Sequence, residues 1–141
     1  GSVFLVENYV NNIIGSVNQV LRLFSDVNHT ALGLLMDPTN YFTDNNIDEV
    51  DGEINRIFNA LGDKIKVAHA KDCRLADQLV VHIEEVVPGS GAMNYELFMR
   101  QFQQVCPNGY FIIEHLPNAL VPQACAYVVS AARAFGIPLE Q

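Results

Sequence analysis

The sequence is poor in basic residues. It carries 8 lysine and arginine residues against 16 aspartate and glutamate residues, which gives a formal net charge of −8. A protein that follows a phosphate backbone or an anionic membrane needs a basic surface, so this balance disfavours nucleic acid and membrane partners. A cationic ligand, or a metal ion held by carboxylates, fits the charge better.

Cysteine and long hydrophobic runs are also scarce. The 3 cysteines are odd in number, lie far apart and include no CxxC pair, which indicates neither a disulfide framework nor a zinc knuckle. The most apolar segment lies near the C terminus and is interrupted by Pro122, Gln123 and Arg133, which makes it too polar for a membrane span. We therefore expect a soluble, cytoplasmic protein with reduced thiols.

The chain of 141 residues is long enough for one domain with its own hydrophobic core. Gly1 and Ser2 are typical of a cloning scar, and a strand-like segment follows them at once. No leader or cap precedes that segment. We therefore expect residues 3–141 to form the structural unit, and we expect this unit to begin inside a larger fold.

Short apolar segments alternate with stretches of helical spacing. The strands are predicted at 3–7, 33–37, 65–69 and 110–114, and the helices at roughly 16–28, 46–61, 94–106 and 118–135. Strands and helices that alternate every 30 residues or so, about the size of a βα unit, make right-handed parallel crossovers. The pattern predicts an α/β fold of four parallel strands, each followed by a helix. Residues 73–93 lengthen the third repeat, and within them 79–87 fit either a short strand covering the site or a linker.

Each predicted strand ends in a titratable or metal-binding side chain. These residues are Glu7, Asp37, His69 and Glu114. Side chains alternate along a strand, so the four would share one face of the sheet. In a parallel barrel, chemistry is assembled at the C-terminal strand ends. A single polar strand end has little meaning, but four at matching positions predict one shared site.

Three carboxylates and one imidazole form a mixed oxygen and nitrogen donor set. Such a set suits Mn²⁺, Co²⁺ or Mg²⁺, with Zn²⁺ also possible. One divalent ion would relieve the mutual repulsion of the carboxylates, polarise the carbonyl of a hydroxy-ketone and acidify the neighbouring C–H. Glu7 and Glu114 are then candidates for a catalytic pair that removes a proton from one face of an enediolate and returns it to the other. That chemistry is typical of an epimerase.

Several of these segments carry a family resemblance. "VFLVEN", "LLMDPTN", "VAHAKD", "PGSG" and "FIIEHL" resemble the C-terminal half of the xylose-isomerase-like TIM-barrel superfamily, which includes sugar phosphate isomerases, ketose 3-epimerases, inosose dehydratases and apurinic endonucleases. The resemblance implies a (βα)4 half of a barrel. It also implies that Glu7, Asp37, His69 and Glu114 are the ligands of the metal ion.

The sequence departs from part of the family pattern. Asn40 stands where many epimerases and the repair endonucleases have a histidine, and no Asp-x-His pair follows His69. A trinuclear DNA-repair site is therefore not expected. Small polyols are the better substrate class.

Six further residues are candidates for contacts with a polyol substrate. They are Asn8, Asn40, Lys71, Asp72, Gly89 and Gly91. The asparagines are also ordinary turn residues, and the lysine and aspartate would equally form a solvated pair in a loop. The glycines belong to "PGSG" at 88–91, where backbone N–H groups would approach a substrate hydroxyl or phosphate. By strand alternation His115 points away from Glu114, which favours a structural hydrogen bond. His82 lies outside the strand ends and receives no role.

Two functions fit these observations. The first is a metal-dependent isomerase or epimerase that acts on a monosaccharide, a sugar phosphate or an inositol derivative. The second is a non-catalytic half-barrel that binds a metal ion or a partner without the substrate contacts of the first half. A complete barrel needs about 250 residues and eight strands. The missing half would be an upstream part of the same polypeptide, or a second copy in a two-fold homodimer.

The two-sided apolar character of the strands supports the need for such a partner. The side chains predicted to face the barrel axis are Val3, Leu5, Ile65, Val67, Tyr110 and Ile112. Alone, the half-barrel would leave this face and two strand edges uncovered, so we expect the isolated chain to self-associate and to have little or no catalytic activity.

Overall fold

The structure is a computed structural model that describes residues 1–139. Strands and helices alternate along most of the chain. Their bounds are β1 Phe4–Val6, α1 Val17–Val27, β2 Leu32–Met36, α2 Val50–Leu61, β3 Ile65–His69, β4 Asp72–Leu75, β5 Ile83–Val86, α3 Tyr95–Val105, β6 Tyr110–Ile112 and α4 Val121–Ala134. Short 3-10 helices lie at Pro38–Tyr41, Ile47–Glu49 and Gly62–Lys64.

Four of the strands form one parallel sheet in the order β1-β2-β3-β6. Leu5 pairs with Gly33, and Val67 pairs with Tyr110. A helix follows each of these strands, and successive helices pack against one another. The predicted α/β arrangement of four βα units is therefore confirmed.

Local signals in the sequence explain where the helices begin. Ser16 caps α1 by accepting a hydrogen bond from the backbone N–H of Gln19. Asn94 caps α3 in the same way through the N–H of Leu97, at 3.1 Å. Pro122 lies in the first turn of α4, where its missing N–H has no helical partner to lose.

One face of the sheet packs against the helices and forms the hydrophobic core. Leu34, Met36 and Ala68 of the strands are fully buried there, together with Ile54 and Phe98 of the helices. These contacts supply most of the apolar burial that holds the strands in place. The strand ends are therefore fixed by a well-packed scaffold.

The bulge between β2 and β3 corrects one prediction. Leu34 pairs with Ile65 and Leu35 pairs with Val67, so Lys66 is an extra residue in β3. Ile65 turns into the helix-side core and is fully buried. The prediction that Ile65 faces the barrel axis is therefore wrong.

The opposite face of the sheet is open. Val3 is 49% exposed, Tyr110 is 72% exposed and Ile112 is 43% exposed. Within residues 1–139 no further strand pairs with the outer edge of β1 or β6. The sheet therefore presents an apolar face and two unpaired edges to solvent.

The excursion after β3 is a hairpin. Strands β4 and β5 pair in antiparallel fashion, with Asp72 opposite Val86 and Leu75 opposite Ile83. The extra strand considered for 79–87 is thus present as β5, at Ile83–Val86. As for membrane insertion, none of the helices described for residues 1–139 combines the length and the apolar character needed to cross a bilayer.

Candidate metal centre

Side chains at the ends of the four parallel strands converge on one point. Each of Glu7, Asp37, His69 and Glu114 offers one ligand atom, and these atoms all lie within 4.8 Å of one another. Parallel strands held side by side bring their C-terminal ends to the same edge of the sheet, which explains the convergence. Ligation of a metal ion by this cluster stays a prediction.

Several buried atoms of the cluster lack a directional hydrogen bond within the described part of the chain. Asp37 Oδ2, His69 Nδ1 and Glu114 Oε1 are buried and have no hydrogen-bond partner among residues 1–139. His69 Nδ1 lies 2.8 Å from Glu114 Oε1 and 3.8 Å from Asp37 Oδ2, without the orientation of a hydrogen bond. Buried polar atoms are rarely left unpaired in proteins. A divalent cation bound by these oxygen and nitrogen atoms would satisfy all three, so the residues fit such an ion.

The two carboxylate oxygens of Asp37 make different contacts. Its Oδ1 accepts hydrogen bonds from the backbone N–H of Thr39 at 3.0 Å and from the Thr39 hydroxyl at 2.7 Å, which caps the 3-10 helix at Pro38–Tyr41. Its Oδ2 faces the cluster. Burial alone would raise the pKa of Asp37, but His69, Lys71 and Thr39 outweigh burial and lower it. Asp37 is therefore a charged carboxylate in a place that excludes water.

Two basic side chains, those of Lys71 and His69, adjoin the carboxylates. Lys71 is 4% exposed, and its Nζ lies 2.8 Å from Asp37 Oδ2 and 2.5 Å from Glu114 Oε1. Burial would lower the pKa of Lys71, but these two carboxylates raise it above its ordinary value. Burial would likewise lower the pKa of His69, and the carboxylates of Asp37, Glu114 and Glu7 raise it. Three carboxylates thus face one lysine and one imidazole at the strand ends.

Asn40 contributes by positioning Glu7. Its Nδ2 donates a hydrogen bond to Glu7 Oε1 at 2.9 Å. Because Asn40 lies in the turn that Asp37 caps, one short segment positions two of the four carboxylate and imidazole groups. The sequence predicts that Asn40 contacts a substrate hydroxyl, and this hydrogen bond gives it a second role.

Three other predicted substrate contacts are engaged within the protein. Asp72 is fully buried and accepts hydrogen bonds from the backbone N–H groups of Cys73, Gly89 and Gly91, each at 2.9 Å, and of Met93 at 3.0 Å. Burial raises the pKa of Asp72, although these four donors oppose the rise. The network ties β4 to the loop before α3. It leaves neither the carboxylate nor the two glycine N–H groups free, so Asp72, Gly89 and Gly91 are not part of the proposed site.

A cavity of about 920 Å³ opens beside the cluster. Glu7, Asn8, Asn40 and Lys71 line it together with residues of the β4–β5 hairpin. Asn8 is 1% exposed, and neither its Oδ1 nor its Nδ2 has a hydrogen-bond partner within residues 1–139. An unpaired buried amide at a cavity wall can both donate to and accept from a substrate hydroxyl.

The cavity also contains residues that sequence reasoning missed. His82, Glu85 and His115 line its wall. The prediction that His115 faces away is overturned, because β6 ends at Ile112 and His115 adopts a left-handed conformation with φ of 56°. Its Nδ1 lies 3.6 Å from Glu85 Oε2. No signal in the sequence predicts this turn. Side chains alternate between the two faces of a sheet only within a strand, and β6 has already ended before His115.

Comparisons with known proteins agree with the fold. A family model described as xylose isomerase-like TIM barrel matches residues 1–131. The structure is similar to a xylose isomerase domain protein from Planctomyces limnophilus, with a TM-score of 0.73, 18% sequence identity, and 95% of this chain and 46% of that chain covered. It is also similar to a xylose isomerase-like TIM barrel protein from Mycobacterium smegmatis in complex with magnesium, with a TM-score of 0.70, 16% identity, and 94% of this chain and 44% of that chain covered. No curated protein matches the sequence. The chain spans less than half the length of these two solved chains.

Proposed function

This chain belongs to the xylose isomerase-like TIM barrel family, and from that premise we propose that it supplies the metal centre of a sugar isomerase or epimerase. The substrate would be a monosaccharide, a sugar phosphate or an inositol derivative. The reaction would be a proton transfer next to a carbonyl group. The observation that carries this proposal is the convergence of four strand-end ligand atoms within 4.8 Å of one another beside a polar cavity.

The proposed ligands are Glu7, Asp37, His69 and Glu114, one from each strand end of the parallel sheet. Their donor set suits one Mn²⁺, Co²⁺ or Mg²⁺ ion, with Zn²⁺ as a further possibility. The similar Mycobacterium smegmatis protein was solved with magnesium, which supports a divalent ion of this kind. When bound, the ion supplies Lewis acidity that makes the C–H beside a carbonyl easier to deprotonate.

The protein's own side chains would move the proton. Glu7 follows β1 and Glu114 follows β6, the two edge strands, so the pair approaches the centre from opposite edges of the sheet. One would take the proton and the other return it. The hydrogen bond from Asn40 fixes Glu7 Oε1 and leaves the second oxygen for this task. The buried amide of Asn8 would hold a substrate hydroxyl.

Exchange of substrate hydrogen with solvent deuterium tests the proton transfer. Ketoses and inosose are incubated in D₂O with the assembled barrel, and we expect deuterium in the product at the carbon beside the carbonyl. Glu7→Gln and Glu114→Gln should each stop the exchange, because each removes a charge and a proton acceptor. Glu96→Gln is a matched control, since Glu96 is exposed on α3 and pairs with Arg100. Exchange at the parent rate in both site variants would remove the two glutamates from the mechanism.

A specific observation favours a second candidate, a half-barrel that binds metal or a partner without catalysis. Its axial face is apolar and open, with Val3 and Tyr110 exposed. An upstream half of a longer polypeptide or a second copy of the chain would complete an eight-stranded barrel. Only a barrel completed in this way would enclose a substrate from all sides.

Sedimentation analysis of the chain tests this second candidate. We expect self-association at micromolar concentration, and we expect Tyr110→Lys to weaken it by placing a charge on the open face. Val80→Lys is the control, because Val80 is 75% exposed but lies in the turn of the β4–β5 hairpin. A stable, well-folded monomer would rule out association through this face.

A further inference from the structure

Lys71 occupies an unusual position for a lysine. Its ammonium group is buried at the strand ends, 2.8 Å from Asp37 Oδ2 and 2.5 Å from Glu114 Oε1. Lysine is almost never buried unless it is paired. Neither of these two oxygens has a directional hydrogen bond within residues 1–139. The ammonium is therefore held in close ion pairs with the two carboxylates.

Hydrogen bonds hold the backbone at and just before Lys71. The N–H of Ala70 donates to the carbonyl oxygen of Ile112 at 2.8 Å, and the carbonyl oxygen of Lys71 accepts from the Tyr95 hydroxyl at 2.9 Å. These contacts come from the neighbouring strand β6 and from helix α3. The side chain therefore moves only by rotation about its own bonds, while its attachment point stays in place.

The ammonium and a metal ion would compete for the same atoms. Asp37 has one oxygen free of Thr39, and that oxygen is the one Lys71 contacts. Glu114 Oε1 is shared in the same way between Lys71 and His69. A divalent ion bound to these oxygens would lie next to a positive charge in a site of low dielectric, where like charges repel strongly. Both cations cannot remain in contact with the two carboxylates.

We propose that Lys71 is a resident counter-ion of the centre, which a divalent ion must displace from Asp37 and Glu114 and which then turns into the adjacent cavity. This inference rests on the proposed metal centre. The cavity already borders Lys71 and contains the carboxylate of Glu85. Burial raises the pKa of Glu85, and the charge of Lys71 opposes that rise. In the loaded centre the ammonium donates to a substrate oxygen instead of to the metal ligands.

Metal affinity provides the test, with Mn²⁺ alone as the probe and isothermal titration calorimetry as the readout. After removal of bound metal by a chelator, Lys71→Met should bind Mn²⁺ at least about tenfold more tightly than the parent, because no competing cation remains. Without metal, Lys71→Met should unfold at a lower temperature than the parent, because the carboxylates repel one another. Added Mn²⁺ should raise that temperature more in the variant than in the parent.

Two further variants complete the design. Lys66→Met is the matched control, since Lys66 is exposed in β3, the strand that precedes Lys71. The Mn²⁺ affinity of this variant should equal that of the parent. Lys71→Arg keeps the positive charge and should bind Mn²⁺ no more tightly than the parent. If Lys71→Met does not fold, Lys71→Gln takes its place under the same criteria.

The outcomes separate this inference from the proposed function. If the parent binds Mn²⁺ and the charge-removing variant binds it equally or more weakly, the proposed displacement of Lys71 is contradicted. The proposed metal centre is not. A parent that binds no divalent ion contradicts both the proposed function and the displacement of Lys71. Tighter Mn²⁺ binding by the charge-removing variant, with parent-like binding by the control, supports the displacement of Lys71.

Discussion

Asp37 directly follows β2, and Asp72 begins β4 shortly after the end of β3. Both are fully buried, yet their surroundings differ completely. Four backbone N–H groups surround the Asp72 carboxylate. Asp37 accepts from Thr39 through one oxygen and turns the other toward His69 and Lys71. The pKa of Asp72 is raised and that of Asp37 is lowered, although burial pushes both upward.

This difference indicates how to distinguish a structural carboxylate from one in a candidate site. Backbone donors belong to the fold and cannot leave, so a carboxylate that they saturate holds a loop in place. Side-chain cations can be exchanged for another cation, so a carboxylate that faces them is open to a ligand. Burial alone does not separate the two cases.

The largest expected effect is on stability, from Asp72→Ala. This change leaves four backbone N–H groups without their acceptor, three of them donated by the loop before α3, and should lower the free energy of unfolding by about 3 kcal/mol. Urea unfolding measures the loss. Asp72→Asn keeps one acceptor oxygen and should lose less. The folded fraction of either variant should bind Mn²⁺ like the parent, and a loss of affinity there would give Asp72 a place in the metal centre.

The next effect is on metal affinity, from Asp37→Asn. The variant keeps an oxygen for the Thr39 N–H but loses the charge, so Mn²⁺ affinity should fall by about a hundredfold, or about 2.7 kcal/mol. Calorimetric titration measures the change. The unfolding free energy without metal should stay within about 1 kcal/mol of the parent value, because the cap is retained. A large loss of stability with intact affinity would reverse the roles of the two aspartates.

The smallest effect is expected from Asn40→Ala. This variant removes the hydrogen bond to Glu7 Oε1 and leaves all four proposed ligands in place. Mn²⁺ affinity should fall by roughly tenfold, as for other residues that orient a ligand. Thr43→Ala, at another position on the cavity wall, is a control that should bind normally. An unchanged affinity in Asn40→Ala would show that Glu7 needs no such support.

The fold could be predicted from the sequence because its signals are repetitive. Apolar strand segments recur between helical stretches, and capping residues such as Asn94 mark helix starts. The approach of Glu7, Asp37, His69 and Glu114 follows from the same reasoning, since the ends of parallel strands meet at one edge. Their role as ligands goes beyond that geometry and stays a prediction.

The remaining features depend on contacts that the sequence does not display. The bulge that buries Ile65 is a matter of pairing register between two strands. The orientation of His115 depends on β6 ending at Ile112, and the network around Asp72 depends on a loop about 20 residues later in the chain. Each of these is set by tertiary packing rather than by local pattern.

Titration of the chain with Mn²⁺, with the parent and His69→Ala measured side by side, tests the central claim most directly. The account predicts one ion per parent chain and an affinity at least about a hundredfold lower in His69→Ala, which lacks the proposed nitrogen ligand. His29→Ala is the control, because His29 lies in the loop before β2 and its Nδ1 accepts from the N–H of Ala31. Equal Mn²⁺ binding by His69→Ala and the parent would contradict the account.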